Sequence, residues 1–349
     1  MIKVLAALLA FGIVFGAAPR AVDACAGLIG SNGAVNLGRT TTLAAYHDGV
    51  EHYVTSFEFA GGGGEFGTLV PLPGIPTDVQ RGGGWTLQRL DLETRPQLAF
   101  SARSADSAGA PAAEKAEVLI EKRIDALDIT VLRGGAASVA AWAEEHGFRL
   151  SPDAPEVLDF YAQRSPIFLA AVFDGDAALE RGQALGDGTP VHLTIPTDNP
   201  WVPLRILGLG KQADDAVNAD VFLMTDGVPA ILPEGSRGLS IDYSRAANKR
   251  LLDDLRSDDG MAWVPQSAWV TRIGIDTTAG DLKFDLAVDA SGRDQPSWVD
   301  AGLLMPSAAI QPADGSWAGR NWDWLAIGLS VAALWAVMVA LVSYRKIPS

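Results

Sequence analysis

A chain of 349 residues carries 42 Asp and Glu against 27 Lys and Arg, a formal net charge of −15. That balance argues against nucleic acid or an anionic lipid surface as a partner, because both need positive potential. Cys25 is the only cysteine, so no internal disulfide forms and folding rests on burial of the 48% hydrophobic residues.

The chain opens with a secretory signal pattern. Lys3 precedes an apolar run from Val4 to Ala18, and Val22-Asp23-Ala24 offers small residues where a signal peptidase reads. Residues 1–24 are therefore expected to be a signal peptide, cleaved between Ala24 and Cys25. The Cys25 thiol then has three open readings: a leftover thiol, a pair between chains, or a lipid attachment point. Residues 25–305 are expected to form an extracytoplasmic α+β domain of one or two units. Without the two ends, acidic residues outnumber basic ones by 41 to 23.

Strand signals dominate that domain. Thr40 to Tyr46 and Glu51 to Ala60 flank Asp48-Gly49, a dipeptide suited to a two-residue hairpin turn. Alternation places Tyr46, Tyr53, Thr55, Phe57 and Phe59 on one face. His47, His52, Val54, Ser56 and Glu58 share the other, more polar face. Further strands are expected at Phe66 to Leu72, Leu127 to Leu132, Val191 to Ile195, Val202 to Leu207, Trp269 to Ile275 and Leu282 to Val288. Ile167 to Phe173 and Val221 to Met224 are continuously apolar, as buried strands are. Helices are expected over Ala136 to His146, after Ser151-Pro152-Asp153 through Tyr161, and over Ser244 to Arg256. Ser101 to Lys115, rich in Ala, Ser and Gly, reads as a loop.

Residues 306–321 have the composition of a stalk, and residues 322–344 read as a transmembrane helix. Leu325 to Val342 holds nine Leu, Ile or Val residues and no charge. It spans about 27 Å as a helix, and these residues favour insertion by roughly 4 kcal/mol. Trp322, Trp324 and Tyr344 mark the membrane borders. Arg345 and Lys346 begin a cytoplasmic tail, residues 345–349, and orient the chain as a single-pass type I protein of the cell membrane.

The search for chemistry yields few candidates. His47, His52 and Glu58 share a hairpin face and are candidates for a divalent metal, against the blander reading of exposed side chains. His146 falls at a helix C-terminus, and His192 reads as an outward residue of an alternating strand. No HExxH pair, GxSxG elbow or Walker loop occurs. Gly61 to Gly64 and Gly82 to Gly84 read as turns, Asp174-Gly175-Asp176 fails the calcium-loop spacing, and Asp214-Asp215 and Asp258-Asp259 read as solvated acidic pairs. Trp85, Trp201, Trp263, Trp269, Trp298 and Trp317 read mainly as core, with some available to a binding face. No catalytic residue, cofactor site or cofactor is expected.

The segment Arg39-Thr40-Thr41-Thr42-Leu43-Ala44-Ala45-Tyr46-His47-Asp48-Gly49-Val50-Glu51-His52-Tyr53 runs on into Phe66-Gly67-Thr68-Leu69-Val70-Pro71-Leu72-Pro73. Ala141-Trp142, Gly147-Phe148, Leu158 to Tyr161, Thr194-Ile195-Pro196 and Pro203-Leu204-Arg205-Ile206 follow. In order and spacing, roughly from Ala24 to Ile231, these resemble the bacterial family called domain of unknown function 2330. The resemblance implies an exported or membrane-tethered bacterial protein and brings no activity, cofactor or catalytic residue. Members often open the mature region with Ala-Cys and a further Cys; Ala24-Cys25 matches, and the second Cys is absent. The expected role is a binding or interaction module at the cell surface, meeting an envelope protein or glycan. A carboxylate-dependent hydrolase of envelope material and an assembly factor for another membrane protein are the alternatives.

Overall fold

The alternating and continuous apolar runs form strands because two sheets lie face to face and each is covered by helices on its outer side. The computed structural model describes residues 22–23, 27–30, 39–58, 65–95, 116–182, 188–234, 237–290 and 296–304. By its contacts the chain divides into Met1–Met305 and Pro306–Ser349, and every described residue lies in the first. Ala24, Cys25, the loop 101–115, the stalk and the span with Trp322, Trp324, Tyr344, Arg345 and Lys346 lie outside the described residues. Among those that are described, no helix is long and apolar enough to cross a membrane.

In chain order the first strands are β1 (Val22–Asp23), β2 (Gly27–Gly30), β3 (Arg39–His47), β4 (Val50–Glu58), β5 (Glu65–Pro71) and β6 (Asp78–Arg81), followed by helix α1 (Thr86–Thr94). Next come β7 (Glu117–Ile124), β8 (Leu127–Arg133), α2 (Ala136–Glu145), α3 (Ala154–Ala162), β9 (Ile167–Asp174) and α4 (Gly175–Glu180). The remainder is β10 (Gly188–Pro196), β11 (Trp201–Val202), a 3₁₀ turn (Arg205–Gly208), β12 (Ala216–Thr225), β13 (Ala230–Leu232), β14 (Leu239–Ala246), α5 (Lys249–Ser257), β15 (Trp269–Thr278) and β16 (Leu286–Asp289).

The largest sheet runs β14-β15-β12-β3-β4-β10-β6, with β1 beside β3; a second runs β2-β5-β9-β8-β7, and a small third runs β11-β16-β13. The strand-rich α+β reading therefore holds for the described domain. In the expected hairpin, His47 pairs with Val50 across Asp48-Gly49, and both turn residues have positive φ, 51° and 78°. That is the requirement that favours Asp-Gly in a two-residue turn.

Strand β9 shows why an unbroken apolar run is stable here. Leu169, Ala171 and Phe173 enter the core shared with Tyr53, Val70, Leu193 and Leu223, between the two large sheets. Phe168, Ala170 and Val172 face the opposite way, against Val139, Trp142, Leu158 and Tyr161 of α2 and α3. The outer face of the first sheet is closed likewise: Leu43, Ala45, Val54, Phe222 and Met224 meet Leu90 of α1 and Leu251, Leu252 and Leu255 of α5. The layers read helices, sheet, sheet, helices.

Several expectations need correction. The face carrying His52 and Val54 is not a solvated one, because α1, α5 and the segment after α5 cover it. Helix α1 is an element the periodicity did not predict. Ser244 to Ala246 continue β14 instead of starting a helix; α5 begins behind Asn248, whose Oδ1 accepts from the Leu251 amide at 2.9 Å. Val202 to Leu207 is strand only at Trp201–Val202, since Pro203 has no N–H and the next residues turn into a 3₁₀ helix. Leu282 to Val288 joins a ladder only from Leu286. Asp174-Gly175-Asp176 is a helix cap: Asp174 Oδ1 accepts from the Ala177 amide at 2.9 Å.

Candidate functional site

Two neighbouring residues of β4 place chemistry on opposite faces of the first sheet, as strand alternation dictates. His52 points to the helix-covered face and Glu51 to the inner one.

His52 takes another histidine of the sheet, not His47, as its hydrogen-bond partner. Its Nδ1 lies 2.9 Å from Nε2 of His192, which comes from β10. Gln80 of β6 places its Nε2 3.0 Å from His192 Nδ1. An amide nitrogen can only donate, so His192 Nδ1 accepts, its Nε2 carries the proton, and that N–H donates to His52 Nδ1. Trp263, in the segment after α5, stacks on the His52 ring at 4.0 Å and 4°, and on His192 at 5.1 Å. His192 is 1% exposed, so the expectation of an outward side chain is overturned. Its strand lies between β4 and β6, and the apolar face that alternation points to is only one of two covered faces.

Burial pushes both imidazoles down to about 4, with His47 adding to the effect on His52. For His192 the neighbouring His52 adds to it and Asp78 opposes it. Both rings are thus neutral at pH 7. The patch is a hydrogen-bonded set of uncharged donors and acceptors beside a half-buried indole.

The backbone holds the Trp263 segment in place by close approach. Gly83 N donates to Asp259 O at 2.9 Å. Asp258, far from being solvated, is 6% exposed and accepts from Trp85 N at 2.9 Å and from Thr86 Oγ1 at 2.8 Å. Gly260 has φ +72°, and a Cβ there would lie 2.4 Å from the Arg81 carbonyl oxygen.

On the inner face, Glu51 is fully buried, and among the described residues neither carboxyl oxygen has a hydrogen-bond partner of good geometry, the Trp201 backbone only approaching it. Burial raises its pKa to about 8, and the Trp201 backbone opposes this. Tyr46, Trp201, Thr225 and Val288 line a cavity of about 10 Å³ beside it, room for about one water molecule. Glu51 shares its strand face with Tyr53 and Phe57, and an acid in that apolar period was the signal that could have singled it out.

The remaining candidates fall elsewhere. His47 Nδ1 lies 2.6 Å from Asp226 Oδ1, and the Glu58 side chain lies outside the described residues. Among the described residues no group of three or more His, Cys, Asp or Glu is placed to hold a metal ion. His146 caps α2, with Nδ1 2.8 Å from the Trp142 carbonyl. Trp201 is buried, and Trp269 donates to Ser244 Oγ at 2.8 Å. Trp85 and Trp298 are exposed.

A family model described as an uncharacterized protein conserved in bacteria (DUF2330) matches residues 19–223. No curated protein matches. Two solved structures of baculovirus P35 overlap with 72% of this chain, each at a TM-score of 0.37. One is a crystal structure of baculovirus P35, at 10% identity over 96% of its length. The other is a mutated form after caspase cleavage, at 8% identity over its full length. So loose an overlap carries no argument about fold or function.

Proposed function

The chain belongs to this uncharacterised bacterial family, and from its own residues we propose that it is a membrane-anchored extracytoplasmic binding module. The apolar ends, with Arg345 and Lys346 behind the second, support the placement. The half-buried His52, Gln80 and Trp263 are the proposed contact with the ligand, and buried His192 behind them fixes the His52 ring. The observation that carries this reading is a neutral imidazole pair stacked on a half-buried indole, fixed by strands on one side and by the Gly260 segment on the other. Rings of this kind offer both apolar area and directional polar groups, the combination that dominates binding surfaces. A polar, uncharged ligand such as a glycan or a peptide backbone suits it.

A hydrolase would need a second acid or a base beside a substrate-sized space. Glu51 has room beside it for about one water molecule, so its geometry does not favour that alternative.

The test is capture of envelope glycans and proteins by the detergent-solubilised full chain. Trp263→Ala and His52→Ala should each lower capture roughly tenfold or more, the scale of losing an interface anchor. Equal capture by both variants would remove the patch from the proposal. If the parent chain retains nothing, the binding-module reading itself falls.

A further inference from the structure

The β3–β4 hairpin and the short strand β11 meet over Glu51. Tyr46 stands opposite Glu51 across the hairpin and donates from its OH to the Thr197 carbonyl at 2.9 Å. Thr197 N in turn donates to Gly49 O at 3.1 Å. These two bonds and the packing of Trp201, Val202 and Val288 surround the cavity where the three-stranded sheet's edge meets the hairpin, while Leu286 and Val288 also enter the core between the large sheets. Among the described residues no basic side chain lines it. Burial first, and then the charges of Asp198, Glu51 and Asp289, raise the Tyr46 pKa further above its ordinary range.

A carboxyl with two unpartnered oxygens tolerates this place only as the neutral acid, because an unpaired buried charge is costly. We propose that Glu51 is a proton-operated latch: protonated, it keeps β11 seated against the hairpin, and losing its proton to bulk water releases that strand. In the released state the carboxylate is hydrated and its affinity for the proton returns to the ordinary glutamate range. The closed state binds the proton more tightly, so acid favours closure. Release therefore grows as pH rises from the ordinary range and levels off above about 8. Between those limits each pH unit changes the equilibrium by up to about tenfold.

Amide hydrogen exchange on the full chain reads this directly. After correction for the intrinsic pH dependence, protection of Trp201, Val202 and Leu286 to Val288 should fall at least about a hundredfold between pH 5 and pH 8. In Glu51→Gln it should stay flat, and Tyr46→Phe should keep the fall. Parallel profiles in the parent and Glu51→Gln, or a flat profile in Tyr46→Phe, would overturn the proposal. Should Glu51→Gln not fold, the infrared band of a protonated carboxylic acid in the parent decides the matter. Its loss on raising the pH must coincide with the loss of protection, and separate transitions would also overturn the latch.

Discussion

Replacing Asp285 by Ala is expected to destabilise the protein by about 3–5 kcal/mol, the scale of breaking a buried ion pair from one side. Asp285 and Arg164 have side chains 0% and 1% exposed. Asp285 Oδ1 accepts from Tyr161 OH at 2.8 Å, Leu204 N at 2.8 Å and Arg205 N at 3.0 Å, and Oδ2 accepts from Arg164. Tyr161 passes the link on by accepting from Ile206 N at 2.8 Å. One carboxylate thus ties α3, the 3₁₀ turn and the approach to β16 together. Without it a guanidinium remains buried between Phe160 and Trp201 with its charge uncompensated. Asp285→Asn keeps the shape and one acceptor, so it should cost less. Urea unfolding of the three proteins checks the order, and a loss below about 1 kcal/mol for Asp285→Ala would contradict the account.

Gly260→Ala should be the next most damaging change, at roughly 2–5 kcal/mol. A left-handed conformation costs a residue with a Cβ about 1–2 kcal/mol, and overpacking adds about 1–3. The atoms in the way are backbone, Arg81 O at 2.4 Å and Gly82 Cα at 2.9 Å, so no side chain can swing aside. The loop must therefore move off the β6 end, taking Trp263 from the His52 ring. Thermal unfolding should show the loss, and a red shift of tryptophan emission should accompany it. Ligand capture should fall by the same variant. Full stability together with an unchanged emission spectrum would mean that the segment is not held by that contact.

These two sites also show where the sequence was readable and where it was not. The Asp48-Gly49 hairpin and the apolar run of β9 depend on neighbours in the chain, on turn conformation and on alternation, and both were legible. Asp285 lies in a stretch that reads as an alternating strand, yet its role is set by amides at Leu204 and Arg205, some eighty positions away. His192 looked outward because alternation separates two faces but does not say that α1 and α5 cover the second. The partnership of His52 with His192 spans 140 positions and depends on the pairing of β4 with β10. Glu51 is an acid among aromatic residues, a signal the alternation offered, but its burial depends on Trp201 and Val288, which come from distant strands. Local signals therefore located the strands, and the chemistry arose from contacts that no local pattern encodes.

The central claim is that the His52–His192–Trp263 patch meets a ligand outside the cell. Ala262 is exposed and adjoins Trp263 without taking part in the patch. A photo-crosslinking residue placed at position 262 of the full chain in intact cells tests the claim most directly. The account predicts an adduct with an envelope glycan or protein, formed from 262 and lost when Trp263→Ala is added. Adducts only with cytoplasmic molecules, or the same adduct with Trp263→Ala, would contradict it.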